Sequence, residues 1–143
     1  YAKLALFDKF AFHYLNHMNH DIKDNLKKVS PIRKKYLYAI SNNKKYRRVE
    51  FIEGNHMIGF AYEARNELLF IIGNPMYEYA QHVKINLFNI KDEFPLVENE
   101  AFLLYGMHES GTRNITEFDE FSNPYFLMGP GEVKIFTIKK LKK

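Results

Sequence analysis

The chain has 143 residues, of which 46% are hydrophobic and 16% aromatic, with a formal net charge of +4 and no cysteine. This length and apolar content suit one domain with a core of its own and argue against disorder, and the lack of cysteine excludes disulfides and thiolate metal sites. Because no apolar run approaches the roughly 20 residues that span a bilayer and the N-terminus lacks a secretion signal, we expect no membrane partner and a cytoplasmic location.

Residues 1–29 have the pattern of a long amphipathic helix. Their apolar side chains recur at spacings of three and four, which gathers them into one stripe. Ser30-Pro31 predicts the end of this helix, because proline disfavours helical geometry in the residue before it. The helix should either pack across a sheet or belong to the end of a preceding domain.

The polar side of the same predicted helix carries three histidines and an aspartate. At about 100° per residue, these four fall within roughly 60° of one another. Imidazole and carboxylate groups on adjacent turns are suitable ligands for zinc or another transition metal. The candidate metal ligands are His13, His17, His20 and Asp24. The alternative is a solvated face that is rich in histidine, and no cofactor is otherwise expected.

A basic block follows, with nine Lys or Arg residues and no acidic residue between Lys27 and Arg48. Tyrosines are interleaved with these charges, and aromatic rings beside cations suit single-stranded nucleic acid, where bases stack and phosphates pair. The alternative is a solvated basic connector over residues 30–45. The candidate patch for an anionic partner comprises Lys34, Lys35, Tyr36, Lys44, Lys45, Arg47 and Arg48.

From residue 46 onward, short alternating segments separated by Gly, Pro and Asn turns predict antiparallel strands. The segment Leu68–Ile72 is the only uninterrupted run of five large apolar residues, which predicts a strand buried on both faces in the middle of a sheet. The predicted fold is mainly β: an antiparallel β-sandwich of about seven or eight strands, residues 46–143, preceded by one long helix. The predicted strands cover residues 46–52, 57–62, 67–73, 83–87, 101–107, 111–118, 125–128 and 132–141.

Several of these segments occur in an order that resembles the C-terminal end of α-amylase-family glycoside hydrolases. They are the helix, the polar segment Pro31–Tyr36, the strand pair 46–51 and 57–62, the strand 67–74 and the terminal segment 127–136, in which a turn at Pro130 precedes Glu132. The resemblance implies that a last barrel helix leads into a small accessory β-sandwich. Its implied role is to stabilise a catalytic domain of the same protein, with α-glucan as a further expected partner.

The chain itself is expected to be non-catalytic, because glycoside hydrolysis requires two carboxylates held across the scissile bond. The acidic pairs Glu98/Glu100 and Asp119/Glu120 lie in polar connectors, where solvated surface is the better interpretation. Candidate glycan contacts are three tyrosines expected to be exposed, Tyr77, Tyr79 and Tyr105, because a tyrosine ring offers an apolar face and a polar tip. The alternative is that these tyrosines complete the core.

Two other functional classes stay open. The first is a self-standing basic module that binds nucleic acid or another anionic partner, with nucleic acid less favoured than a catalytic domain. The second is an interaction protein, for which the sequence has no positive signature.

Overall fold

The computed structural model describes residues 22–41, 46–106, 113–115 and 117–141. Within these ranges, two helices and nine strands are present. The helices are α1 (Ile22–Ile40) and α2 (Phe88–Glu93); the strands are β1 (Tyr46–Arg48), β2 (Glu50–Glu53), β3 (Ile58–Glu63), β4 (Glu67–Gly73), β5 (Gln81–Asn86), β6 (Ala101–Gly106), β7 (Arg113–Ile115), β8 (Tyr125–Met128) and β9 (Val133–Lys139).

The strands form two antiparallel sheets that pack face to face. The larger sheet has the order β1-β3-β4-β9-β6-β7 and the smaller has the order β2-β5-β8. One apolar core lies between them, where Val83 and Ile85 of the small sheet join Phe70 and Phe136 of the large one. The predicted antiparallel β-sandwich is confirmed.

Strand β4 lies at the centre of the large sheet, hydrogen-bonded to β3 on one side and β9 on the other. Successive side chains of a strand point to opposite faces. Phe70 and Ile72 therefore enter the core between the sheets, whereas Leu69 and Ile71 enter a second core on the opposite face. None of Leu68–Ile72 is more than 2% exposed, which confirms the predicted strand with two buried faces.

Helix α1 covers that opposite face of the large sheet. Its residues Tyr36, Ala39 and Ile40 are buried in the second core together with Leu69 and Ile71. The molecule therefore has three layers: α1, the large sheet and the small sheet. Residues 1–21 of the predicted helix lie outside the described residues, so the choice between the two arrangements expected for it stays a prediction.

The predicted end of the helix at Ser30-Pro31 is wrong, because α1 continues through Pro31 to Ile40. A proline inside a helix removes one backbone hydrogen bond and costs about 3 kcal/mol. Burial of Tyr36, Ala39 and Ile40 beyond the proline offsets this cost. Residues 30–40 of the predicted connector are therefore helical, and the rest of the predicted division into domains stays a prediction.

The segment predicted as one strand over residues 46–52 is two strands in different sheets. Arg47 and Arg48 of β1 pair with β3 in the large sheet, whereas Glu50 and Phe51 of β2 pair with β5 in the small sheet. Val49 lies at the crossing point, where its backbone N–H donates to the carbonyl oxygen of Gly59 at 2.9 Å. This crossing explains why the structure has nine strands instead of seven or eight.

The crossing depends on the missing side chain of Gly59. A Cβ atom there would lie 2.7 Å from Ile72 Cδ1, 2.9 Å from Phe51 Cζ and 3.0 Å from Val49 Cβ. We expect Gly59→Ala to lower the free energy of unfolding by about 2 kcal/mol, because overpacking forces neighbouring groups apart. Urea unfolding followed by circular dichroism measures the change. A loss below about 0.5 kcal/mol would contradict the close approach of Val49 to β3.

Helix α2 is a short element that the sequence pattern did not predict. It lies between β5 and β6, and Ile90 is its only buried residue. The segment between β7 and β8 is joined to the start of α2, because the side-chain oxygen of Asn123 accepts a hydrogen bond from the backbone N–H of Leu87 at 3.0 Å. Neither helix within the described ranges has the length and apolar character needed to cross a bilayer.

Candidate functional site

Three of the four predicted metal ligands, His13, His17 and His20, lie outside the described residues. The fourth, Asp24, lies in α1, but the structure describes only its backbone. Across the ranges that the structure describes, no group of three or more His, Asp or Glu side chains is placed to hold a metal ion. The predicted helical metal site therefore stays a prediction.

The residues of the predicted anionic-partner patch have different environments. Lys44 and Lys45 lie outside the described residues, and Lys34, Lys35 and Arg48 are exposed.

Two other members of that patch are engaged in internal contacts. Tyr36 is only 3% exposed, and its hydroxyl donates a hydrogen bond to a carboxylate oxygen of Glu67. Burial, with the Glu67 carboxylate beside it, raises the pKa of the Tyr36 hydroxyl far above its usual range. Arg47 forms an ion pair and hydrogen bonds with Glu93, and the hydrogen bond to Glu93 raises the pKa of its guanidinium. Tyr36 and Arg47 therefore hold elements of the fold together.

The three candidate glycan contacts separate into two environments. Tyr77 and Tyr79 are 47% and 42% exposed, as expected. The exposure expected of Tyr105 is wrong, because this side chain is only 7% exposed and packs in the core beneath α1. Burial, with a contribution from the charge of Glu132, raises the pKa of Tyr105 to about 12. Its position on β6 directs the ring inward.

The segment that carries Tyr77 and Tyr79 is fixed by a fully buried asparagine. The side-chain amide of Asn74 donates to the carbonyl oxygens of Gly129, at 2.9 Å, and Tyr79, at 3.4 Å. Its side-chain oxygen accepts from the backbone N–H of Met76 at 3.0 Å. The two exposed tyrosines thus project from a loop that is tied to the turn between β8 and β9.

A cleft of about 1100 Å³ lies at the other end of the sandwich. It is bordered by the C-terminal half of α1, the turn between β3 and β4, the segment after α2 and the end of β9. The side chains that line it are charged or aromatic for the most part: Lys35, Tyr36, Tyr38, Glu63, Arg65, Asn66, Glu67, Glu93, Phe94, Pro95, Lys139, Lys140 and Leu141.

The three carboxylates of this cleft all have partners within the protein. Glu63 accepts from the Lys140 ammonium at 3.1 Å, and Glu67 accepts from the Tyr36 hydroxyl. Glu93 is paired with Arg47, as described above. Two of the three carboxylates, Glu63 and Glu93, are therefore paired with cations, whereas Glu67 keeps its charge beside a neutral hydroxyl.

Three of the cleft's cations have aromatic partners instead of carboxylates. Lys35 Nζ lies 5.3 Å from the centre of the Tyr36 ring, the Arg65 guanidinium 5.7 Å from that of Tyr38, and Lys139 Nζ 5.4 Å from that of Phe102. Among the described residues, none of the three forms an ion pair. Lys35 belongs to the predicted patch, but Arg65 and Lys139 do not, because these residues are far apart in sequence and come together only in the fold.

The two residues of the predicted solvated pair Asp119/Glu120 have different environments, because the Asp119 carboxylate is hydrogen-bonded within a turn. Its carboxylate accepts hydrogen bonds from the backbone N–H groups of Phe121 and Asn123, both at 2.8 Å, and lies 3.7 Å from Lys84. Burial opposes ionisation of this carboxylate, but the backbone hydrogen bonds and Lys84 lower its pKa below the usual 3.8. Glu120 is exposed.

We expect Asp119→Ala to lower the free energy of unfolding by about 1 kcal/mol at pH 7, whereas the exposed neighbour change Glu120→Ala should have almost no effect. Since the pKa of Asp119 is lowered on folding, its stabilising contribution is complete above pH 3.8 and is lost as the pH falls further. The difference between the wild type and Asp119→Ala should therefore shrink below about pH 4. Urea unfolding at a series of pH values checks this, and a difference that is constant with pH would contradict it.

Comparisons with known proteins give a likeness to a solved structure. No protein-family model and no curated protein sequence matches the chain. Among solved structures, the crystal structure of an α-amylase from Geobacillus thermoleovorans, complexed with acarbose, matches with a TM-score of 0.52 at 18% sequence identity. The match covers 85% of this chain and 23% of the α-amylase chain, so this chain spans less than a quarter of that protein's length. The described residues therefore share the fold of a region of an α-amylase.

Proposed function

We propose that this chain is a non-catalytic accessory β-sandwich of an α-glucan-acting glycoside hydrolase, and that it stabilises the catalytic domain of the same protein. The observation that carries the proposal is the fold shared with an α-amylase over 85% of this chain. The position of α1 supports it, because a helix that packs across the sandwich offers a rigid connection to a domain before it. Among the described residues, the acidic side chains of the cleft are engaged with neighbouring groups instead of facing each other as a catalytic pair.

Two exposed phenylalanines offer a candidate contact surface for the catalytic domain. Phe88 and Phe121 are 74% and 72% exposed, which is unusual for large apolar side chains. They lie on segments that are joined, since Lys91 Nζ donates to the carbonyl oxygen of Phe121 at 3.4 Å and Leu87 binds Asn123. A neighbouring domain that covers both rings would gain about 1.5–3 kcal/mol from each.

The test is to compare the protein encoded by the complete gene with this chain alone. The complete protein should hydrolyse soluble starch, and this chain alone should not. Phe88→Ser combined with Phe121→Ser should lower the unfolding temperature of the complete protein and leave that of this chain unchanged. A gene that encodes no catalytic domain, or starch hydrolysis by this chain alone, would overturn the proposal.

Contact with α-glucan through Tyr77 and Tyr79 is part of the same proposal. Both rings are exposed on a loop held by Asn74, and a fixed aromatic ring provides an apolar face for a sugar at low entropic cost. Sedimentation with insoluble starch should retain the chain, and Tyr77→Ala combined with Tyr79→Ala should release it. Tyr125→Ala is the control, because this tyrosine is 41% exposed on strand β8, outside that loop. Equal retention of all variants on starch would contradict the proposed glycan contact.

The alternative of a basic module for nucleic acid stays a prediction. Tyr36 and Arg47 are engaged in internal contacts, which reduces the predicted patch. Stacking of a base requires an accessible ring, and Tyr36 is buried. We therefore favour the accessory role.

A further inference from the structure

We propose that the cleft between α1 and the end of β9 binds a small phosphate monoester. This site is separate from the loop of Tyr77 and Tyr79, and it does not depend on the accessory role.

The charge balance of the cleft favours an anion. Four basic and three acidic side chains line it. Lys140 neutralises Glu63, and Arg47, which lies outside the lining, neutralises Glu93. Glu67 shares a hydrogen bond with the Tyr36 hydroxyl. Glu67, which pairs with Lys139 across β4 and β9, is the one remaining negative charge among the described lining residues. The three cations Lys35, Arg65 and Lys139 outnumber it, so an entering ligand meets a net positive charge.

These cations are held in a way that leaves their donors available. A cation above an aromatic ring is attracted by the face of the ring, and this contact does not consume the N–H groups that bind phosphate. The phenol oxygen of Tyr38 also accepts a hydrogen bond from the backbone N–H of Arg65 at 3.4 Å, which ties Arg65 to α1. Arg65 and Lys139 are thus fixed near the cleft, with donors suited to phosphate oxygens.

The size and lining of the cleft indicate more than a free inorganic anion. A volume of about 1100 Å³ is at the upper end of the range for small-molecule sites, and it exceeds the needs of one phosphate group. The side chain of Tyr38 is 50% exposed, and the partly buried Phe94 also lines the cleft. These rings offer apolar surface to the body of a ligand whose phosphate meets the cations. A phosphorylated sugar has both parts.

Calorimetric titration of the full chain at low ionic strength tests the proposal with three probes: inorganic phosphate, glucose 6-phosphate and glucose. We expect both phosphates to bind, glucose 6-phosphate more tightly, and glucose not to bind. Lys35→Gln and Arg65→Gln should each weaken binding of glucose 6-phosphate about tenfold, because each removes a charge-assisted hydrogen bond. Lys34→Gln is the matched control, because this exposed neighbour on α1 does not line the cleft.

Each outcome has a defined meaning. Weakening by Lys35→Gln and Arg65→Gln, with Lys34→Gln unchanged, supports the site. The absence of heat with both phosphates overturns it, as does equal weakening by Lys34→Gln, which would indicate non-specific attraction to surface charge. Binding of glucose as tight as that of glucose 6-phosphate would also overturn it. Circular dichroism verifies the fold, and Lys139→Gln replaces Arg65→Gln if that variant does not fold.

Discussion

Replacing Phe70 or Phe136 by alanine is expected to lower the free energy of unfolding by about 3–5 kcal/mol, the range typical of large buried aromatic residues. The two residues are directly paired across β4 and β9, and both side chains are fully buried. Their rings stack with centroids 4.9 Å apart and planes within 4° of parallel. Either change would leave a cavity between the two sheets, and urea unfolding at pH 7 measures the loss.

Phe121→Ala is the control for this prediction, because its ring is 72% exposed and its removal should change stability by less than about 0.5 kcal/mol. A double-mutant cycle between Phe70 and Phe136 should show a coupling of roughly 0.5–1.5 kcal/mol, as expected for an aromatic pair in contact. A loss of less than about 1 kcal/mol for both single changes would contradict the position of β4 and β9 at the centre of the fold.

The centre of the fold was predictable because a strand that is buried on both faces has an uninterrupted apolar sequence. Leu68–Ile72 is apolar at every position, as a strand between two cores requires. Alternation in β3 was equally informative: Ile58, Phe60 and Tyr62 share one face, and all three belong to the core beneath α1. In both strands, local periodicity and tertiary packing agree.

Three features were not predictable, because tertiary contacts determine them. Pro31 lies inside α1 although its local preference is to end a helix, since residues beyond it are anchored on the large sheet. The crossing at Val49 does not interrupt the alternation of residues 46–52, because Val49 at the crossing and Phe51 in β2 direct their side chains into the same core. Helix α2 buries only Ile90, so it lacks an apolar stripe.

The cleft was the least predictable part of the molecule. Lys35, Arg65 and Lys139 come from α1, the turn between β3 and β4, and the end of β9. Glu63 and Lys140, which form an ion pair there, are 77 residues apart. No spacing rule applies over such separations, because the pairing of β3, β4 and β9 brings these side chains together. The predicted patch was a local run of charge, and it contained only Lys35 and Tyr36 of the lining.

Glu132, which the sequence analysis singled out after the turn at Pro130, is a buried structural residue. It is 2% exposed, and one carboxylate oxygen accepts the backbone N–H of Gly129 at 2.8 Å. The other lies 3.6 Å from the ammonium of Lys134, whose side chain is also buried. This buried ion pair joins the turn to β9. Burial of each charge costs solvation energy, and the attraction between the two charges offsets that cost.

We therefore expect Glu132→Gln to lower the free energy of unfolding by about 3 kcal/mol, although glutamine can still accept the Gly129 hydrogen bond. The loss arises because the buried Lys134 ammonium would lose the attraction of the Glu132 carboxylate 3.6 Å away. Changing both residues, Glu132→Gln with Lys134→Met, should recover most of the stability, since the buried cation is then removed as well. Urea unfolding at pH 7 provides the measurement.

The matched control is Glu93→Gln, which breaks the ion pair with Arg47. Both side chains of that pair are at least 40% exposed, so the expected loss is below about 1 kcal/mol. If Glu132→Gln cost no more than Glu93→Gln, the buried pair would not stabilise the turn at Pro130. If the double change were no better than Glu132→Gln alone, the loss would come from the altered carboxylate itself and not from the Lys134 charge. The contrast is informative because Glu93→Gln also removes one carboxylate charge that faces a cation, but at an exposed site.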